Sequence, residues 1–151
     1  MDKVSSITAE LKSKIGIECE PQSYSIEKGM IKRFARAIDD PNPLWQDEEF
    51  ARKTKYGGII APPTFIPLVG NEQIQQQLIL LPTLSILHAS TELECYRPIR
   101  EGNVITATTR ISGVREQQGK MGKMILITFD TTYTNEVREL VATCRQRIIA
   151  Y

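Results

Sequence analysis

The strongest constraint in this chain is a period of two that begins at Ser85 and recurs in four long runs. Leu87, Ala89, Thr91, Leu93 and Cys95 alternate with Ile86, His88, Ser90, Glu92 and Glu94; the first set is expected to face a core and the second to be largely solvated. Ile105, Ala107, Thr109 and Ile111 repeat the pattern, then Ile125, Ile127, Phe129 and Tyr133, then Leu140, Ala142, Cys144 and Ile148. The stretches between them, Arg97 to Asn103, Gln118 to Lys123 and Thr134 to Glu136, are rich in turn formers. Long alternating runs joined by short turns predict an antiparallel meander.

The first half of the chain reads differently. Val4, Ile7, Leu11 and Ile15 mark a short amphipathic helix over 3–15, closed by Gly16, and Ile17 to Tyr24 reads as a first strand. Ile31, Phe34, Ala35 and Ile38 follow i, i+3, i+4, i+7 and predict a helix over 27–38, with Glu27 in its first turn. A second short helix is expected at Asp47–Lys53, acids first and bases last. Thr64 to about Gln77 is expected to be a central helix. Its first half (Phe65, Ile66, Leu68, Val69) is apolar nearly all round and its second half (Glu72, Gln73, Gln75, Gln76, Gln77) is expected to emerge into solvent. The prolines at 62 and 63 suit a helix entry, where amides have no intrahelical partner. These elements give an α+β class: one domain over 1–151, an antiparallel sheet wrapped around a central helix. A sheet of this kind has free edges, so an oligomer is expected.

Composition narrows the partners. Nineteen Lys and Arg against eighteen Asp and Glu leave a formal charge of +1, too little to draw the chain to nucleic acid or an acidic membrane. No run approaches the ~20 apolar residues of a membrane span, and the charged N-terminus does not read as a secretory signal. Three widely spaced cysteines, Cys19, Cys95 and Cys144, suit free thiols in a reducing compartment better than disulfides or a metal site. The expected setting is cytoplasmic, with no metal.

Chemistry concentrates between Ala35 and Phe65. Asp39-Asp40-Pro41-Asn42-Pro43 is a loop whose prolines fix φ, and such a loop holds a carboxylate still, as general acid–base chemistry requires. Ala61-Pro62-Pro63-Thr64-Phe65 then opens a helix, a natural seat for a carbonyl oxygen. A fixed carboxylate beside a helix N-terminus is the skeleton of an acyl-thioester site.

Asp40-Pro41-Asn42-Pro43-Leu44 resembles the D-x-N-P-L-H signature of the MaoC-like (R)-specific enoyl-CoA hydratases and dehydratases, which have a hot-dog fold. The Tyr-Gly-Gly…Ala-Pro-Pro-Thr-Phe entry and the Arg-Pro-Ile-Arg-Glu-Gly-Asn turn are similar to the same family, and most of all to its N-terminal, fatty-acid-synthase-type dehydratase branch. The resemblance runs from about Ile15 to Ile149. It implies an acyl-CoA or acyl-carrier-protein thioester as substrate, with coenzyme A entering as part of the substrate and no resident cofactor. In active members the signature Asp and His hold a water that adds across the 2,3 double bond of an enoyl thioester, or leaves from the 3-hydroxyacyl form. A backbone N–H from a His-Gly pair binds the thioester oxygen.

Carried over residue by residue, Asp40 matches the acid and Asn42 the loop Asn, but the His position is Trp45 and the Gly position is Pro63. An indole N–H only donates, and proline has no N–H to give. Losing one oxyanion donor costs about 10²–10³ in rate and losing a general base about 10²–10⁴. The resemblance therefore implies the second member of a pair of hot-dog units, in which the partner keeps the intact Asp/His site and this chain shapes the space for the acyl chain. Asp40 is on that reading the remnant of a catalytic acid; Asn42, Trp45, Pro63, Thr64, Phe65 and His88 are candidate substrate contacts. Each also has a plainer role: Asp40 as a capping acid, Asn42 on loop backbone, Trp45 and Phe65 in packing, Thr64 as a cap, His88 in structure or an interface. Arg97, Arg100, Lys120 and Lys123 read first as solvated turn charges and second as contacts for coenzyme A phosphates. Two alternatives stay open: a self-sufficient hydratase, as a homodimer, using Asp40 with His88, and a non-enzymatic acyl-CoA-binding module.

Overall fold

The computed structural model describes residues 2–79, 81 and 84–151. Five antiparallel strands form one sheet in the order β1-β3-β4-β5-β2: β1 (Gln22–Ser25), β2 (Ile86–Cys95), β3 (Val104–Gly119), β4 (Gly122–Thr134) and β5 (Leu140–Ala150). The three C-terminal runs form hairpins as their alternation predicts, and β3 and β4 meet at a tight turn between Gly119 and Gly122. The first long run does not join the meander in sequence. β2 pairs with β5 rather than with β3, so Arg97 to Asn103 crosses from one side of the sheet towards the other instead of closing a hairpin.

α1 (Lys3–Ser13) is capped by Asp2, whose Oδ1 accepts the Ser5 N–H at 2.8 Å, and buries Leu11 against the sheet. The expected strand at 17–24 is reduced to Gln22–Ser25 and an isolated bridge at Glu18, with Ile17 65% exposed. α2 (Lys28–Ala37) starts after Glu27, which takes the capping position without a side-chain bond. It ends in a Schellman motif with Asp39 at φ 54°: the Asp40 N–H donates to Ala35 O at 2.9 Å and the Asp39 N–H to Arg36 O at 3.1 Å. α3 (Glu48–Arg52) is capped by Asp47.

The central segment departs most from expectation. It is a 3-10 helix, Pro63–Leu68, followed by a break at Val69–Gly70 and then α4 (Asn71–Leu78). The Pro67 ring would clash with the carbonyl of Pro63, four residues back, in an α-helix, which disfavours that form in the first half. Gly70 makes the break at φ 75°, and a Cβ there would sit 2.7 Å from the Ala107 Cβ, so the segment lies directly on β3. Around it the core divides into two clusters. Phe65, Ile66 and Val69 meet Ile105, Ala107, Tyr133, Val141 and Cys144; Ile74, Leu78 and Leu81 meet Ile111, Ile127, Phe129 and Ile148.

Gln73, expected in solvent, is 3% exposed. The β1–β3 ladder stops at Gln22↔Ala107 and returns only as the bridge Glu18↔Arg110. In that gap Gln73 Nε2 donates to Ala107 O at 2.9 Å and its Oε1 accepts the Thr109 N–H at 3.0 Å. The side chain stands in for the missing strand, satisfying a Thr109 N–H that would otherwise be buried unpaired.

A bulge between His88 and Ser90 corrects the expected faces of β2. Paired residues on antiparallel strands share a face. His88 pairs with the buried Ile148, Thr91 with Gln146 and Leu93 with Cys144, so these three lie on the core side. Leu87 pairs with Ile149 and lies on the opposite side with Glu92 and Glu94. One extra residue has exchanged the two sets over its first turn. Nor does that core face lie in a core: Ile86, His88, Thr91 and Cys95 are exposed, because β2 is an edge strand that α4 does not cover. The outer face carries a cross-strand row of alternating charge, Arg110, Asp130, Arg145 and Glu92. Arg145 donates through Nε and Nη2 to both Asp130 oxygens at 2.7 and 2.9 Å, and this holds the Asp130 carboxyl below its ordinary pKa. No helix among the described residues is long and apolar enough to cross a membrane.

Candidate functional site

The loop between α2 and α3 is built from its own side chains. Asp40 Oδ1 accepts the Asn42 N–H at 3.0 Å, and Asn42 Oδ1 accepts the Leu44 N–H at 3.0 Å. Each is an Asx turn, and the second caps a 3-10 turn, Pro43–Trp45, that delivers Trp45 inward. Gln46 Nε2 closes the loop on Asp40 O at 2.6 Å. Asp40 is thus held still by its own sequence, as expected, but one of its oxygens serves the backbone. Asn42 is exposed and bonds the loop.

Trp45 and Pro63 line one cavity of about 320 Å³, together with Leu44, Tyr56 and Ile66. The far wall is the end of β2 and the crossover: Cys95, Tyr96, Arg97 and Ile99. The sequence places Trp45 and Pro63 here through the resemblance alone; the structure brings them to one wall independently. Tyr56, Tyr96 and Arg97 were legible only as parts of connections. Tyr56 carries Lys55 over its ring at 5.2 Å, and the Tyr96 hydroxyl donates to Glu94 at 2.6 Å, which raises the phenol's pKa. Burial pushes the Cys95 thiol up, so it stays protonated.

The remaining candidates scatter. Phe65 is 4% exposed and packs edge-on to Phe34 at 5.6 Å, in the core rather than on the cavity wall. Thr64 is exposed and caps nothing; Pro62 holds the capping position. His88 lines a separate cleft of about 420 Å³ between α4 and β2, with Ile74, Leu78, Gln146 and Ile148, and its Nε2 lies 2.8 Å from Thr91 Oγ1. Asp40 lines neither space.

Among the described residues, the indole Nε1 of Trp45 is the buried side-chain polar atom without a partner. Its donor faces no acceptor. Such an orphan costs about 1–3 kcal/mol.

The chain is 34% identical over 104 residues to a UPF0336 protein of Thermobifida fusca, across 66% of this chain and 68% of that one. Its fold is similar to that of a C-terminally truncated HadBC complex, a (3R)-hydroxyacyl-ACP dehydratase of Mycobacterium tuberculosis, at TM-score 0.76 and 21% identity over 89% of this chain and 96% of that one. It is similar also to the ChsH1–ChsH2 complex of the same organism, at TM-score 0.74 and 20% identity over 97% and 89%. The expected MaoC-like hot-dog fold is therefore borne out. The FAS1-like dehydratase domain region matches residues 13–144, and the chain belongs to that family.

Proposed function

We propose that this chain is the acyl-accommodating, non-catalytic subunit of a heteromeric enoyl-CoA hydratase or 3-hydroxyacyl-thioester dehydratase. The observation that carries the reading is the cavity wall formed by Trp45 and Pro63. At the positions where the family's chemistry needs a proton acceptor and an oxyanion N–H, this wall offers an indole and an imide, neither of which does that work. What remains is an apolar space of the size that small-molecule sites take, roughly 300 Å³ and upward. It suits the chain of an acyl-CoA or acyl-carrier-protein thioester. The chemistry would be a hydro-lyase reaction run by protein side chains on the partner, without a resident cofactor.

The partner is a second hot-dog unit carrying the intact Asp/His pair. Two features of β2 call for such a unit together. The strand has a free hydrogen-bonding edge, and its core-side face projects beyond α4. A partner must bring both an edge strand and a helix, which is what another sheet wrapped on a helix offers. The heteromeric dehydratase named above is consistent with this arrangement.

The test is water addition to a series of enoyl-CoAs, by the purified chain alone and with a co-expressed hot-dog partner. Turnover is expected only in the second case and is expected to survive Asp40→Asn in this chain. Robust turnover by the chain alone, lost on Asp40→Asn, would overturn the reading.

A further inference from the structure

Among the residues that line the cavity beside Trp45, one carries a charge: Arg97. Its Nη2 lies 3.3 Å from Glu139 Oε1, and its side chain is 52% exposed, so the guanidinium stands at the rim with its head in water. Glu139 is steadied by Asn135, whose Nδ2 donates to the other oxygen at 2.9 Å. The wall behind Arg97 is apolar or aromatic: Trp45, Tyr56, Ile66 and Ile99. An apolar space with a single cation at its mouth is complementary to a molecule with an apolar body and one negative end. A guanidinium fork matches a carboxylate in particular, and this one already holds the carboxylate of Glu139. That pair is solvent-exposed and hence weak, so another carboxylate can replace it at little cost.

We propose that the cavity binds a free acyl carboxylate, its chain against Trp45 and Ile66 and its head on Arg97 in place of Glu139. The site rests on the reading that this space takes an apolar acyl chain, but on no turnover. Hydrolysis of acyl thioesters is the class of reaction that releases such carboxylates, so occupancy of the site would report on free acid and compete with the acyl chain of the thioester. The Arg97–Glu139 pair acts as an internal competitor that a carboxylate displaces and an uncharged ligand leaves in place.

Trp45 is the single tryptophan of the chain, so its emission reports on this cavity alone. The full chain is titrated with decanoate and with decanol, both below their aggregation limits. Decanoate is expected to shift the emission saturably and to bind about threefold more tightly than decanol, the factor that a solvent-exposed ion pair confers. Arg97→Ala is expected to erase the difference between the two. Glu139→Gln removes the competitor and is expected to tighten decanoate severalfold while leaving decanol unchanged, a result that a merely structural role for Glu139 would not give. Equal binding of acid and alcohol by the unaltered chain, or indifference of decanoate to Glu139→Gln, overturns the proposal. Absence of decanoate binding alongside turnover with a partner overturns this site and leaves the subunit role standing. Decanoate binding with the expected responses, but no turnover with any hot-dog partner, supports the site and removes the subunit role.

Discussion

At the scale of single residues, the two departures that the resemblance implies differ in kind. Pro63 is a deletion: it removes an N–H from the backbone, and its ring is exposed at the start of the 3-10 helix where no amide is needed for folding. Trp45 is a substitution that fills space, at the cost of a buried N–H without an acceptor. A residue that carries such a penalty beside a cavity is shaping that cavity as well as closing a core. Gly70 is the third residue on which the site depends, since it turns the chain from the 3-10 helix into α4 while pressed against β3. Gly70→Ala places a Cβ 2.7 Å from that of Ala107, at φ 75°, where L-residues are strained. Overpacking costs about 1–3 kcal/mol and a left-handed conformation about 1–2 more. The expected loss is therefore about 2–5 kcal/mol in urea unfolding with an unchanged slope. A loss below about 0.5 kcal/mol would mean that the break at Gly70 is soft and does not fix the central segment on the sheet.

At the scale of elements, alternation and helical spacing were enough to read β3, β4, β5 and α2 in the sequence, because each of these buries one face and leaves the other in water; α3 was read from its order of charges. They failed where an element's neighbours decide the outcome. A bulge leaves no signature in the alternation of β2, yet it exchanges the faces of Leu87 and His88. The sheet order is likewise invisible to a rule that pairs consecutive runs. The polar half of the central segment hid Gln73, whose burial depends on a gap in a ladder more than thirty residues away. The site was legible to the same degree and for the same reason. Asp40, Asn42 and their prolines act through local backbone bonds and were readable; Tyr56 reaches the cavity from the connection after α3, and Tyr96 and Arg97 from the end of β2, which only the tertiary fold brings together. Gln73→Leu tests the ladder argument. It keeps the volume but leaves the Thr109 N–H buried without a partner, at about 1–3 kcal/mol, while Ala107 O keeps its ladder neighbour Gln22. The expected destabilisation is about 1–3 kcal/mol, with amide exchange at Thr109 rising above that of Ile127. If the stability of the variant matches that of the parent, water or the strand itself must satisfy this group.

At the scale of the whole molecule, the sheet ends on one side in a strand of four residues and on the other in a strand of ten. β1 protects the β3 side, helped by the Glu18 bridge and by Gln73. β2 leaves the opposite side bare, and its first half, Ile86 and Leu87, has no charge to discourage pairing; these two are 37% and 53% exposed. Ile79 on the neighbouring helix end is 72% exposed, so the bare edge continues into an apolar patch beside the cleft that holds His88. An edge of this kind either aggregates or is occupied, and the proposed assembly occupies it. Ile86→Lys with Leu87→Lys places two positive charges on it without touching a buried side chain. The isolated chain is expected to keep its far-ultraviolet circular dichroism, and sedimentation velocity is expected to show the association with a second copy or with a hot-dog partner reduced by at least tenfold, about 1.4 kcal/mol. Met121→Lys, at the tip of the β3–β4 hairpin and 82% exposed, serves as the control and is expected to change neither. Thioester turnover in the partnered state is expected to fall in step with association in the double variant, because a site divided between two chains disappears when they part. If assembly persists with Lys at both positions, the partner must sit elsewhere, and the outer face with its row of Arg110, Asp130, Arg145 and Glu92 becomes the surface to test.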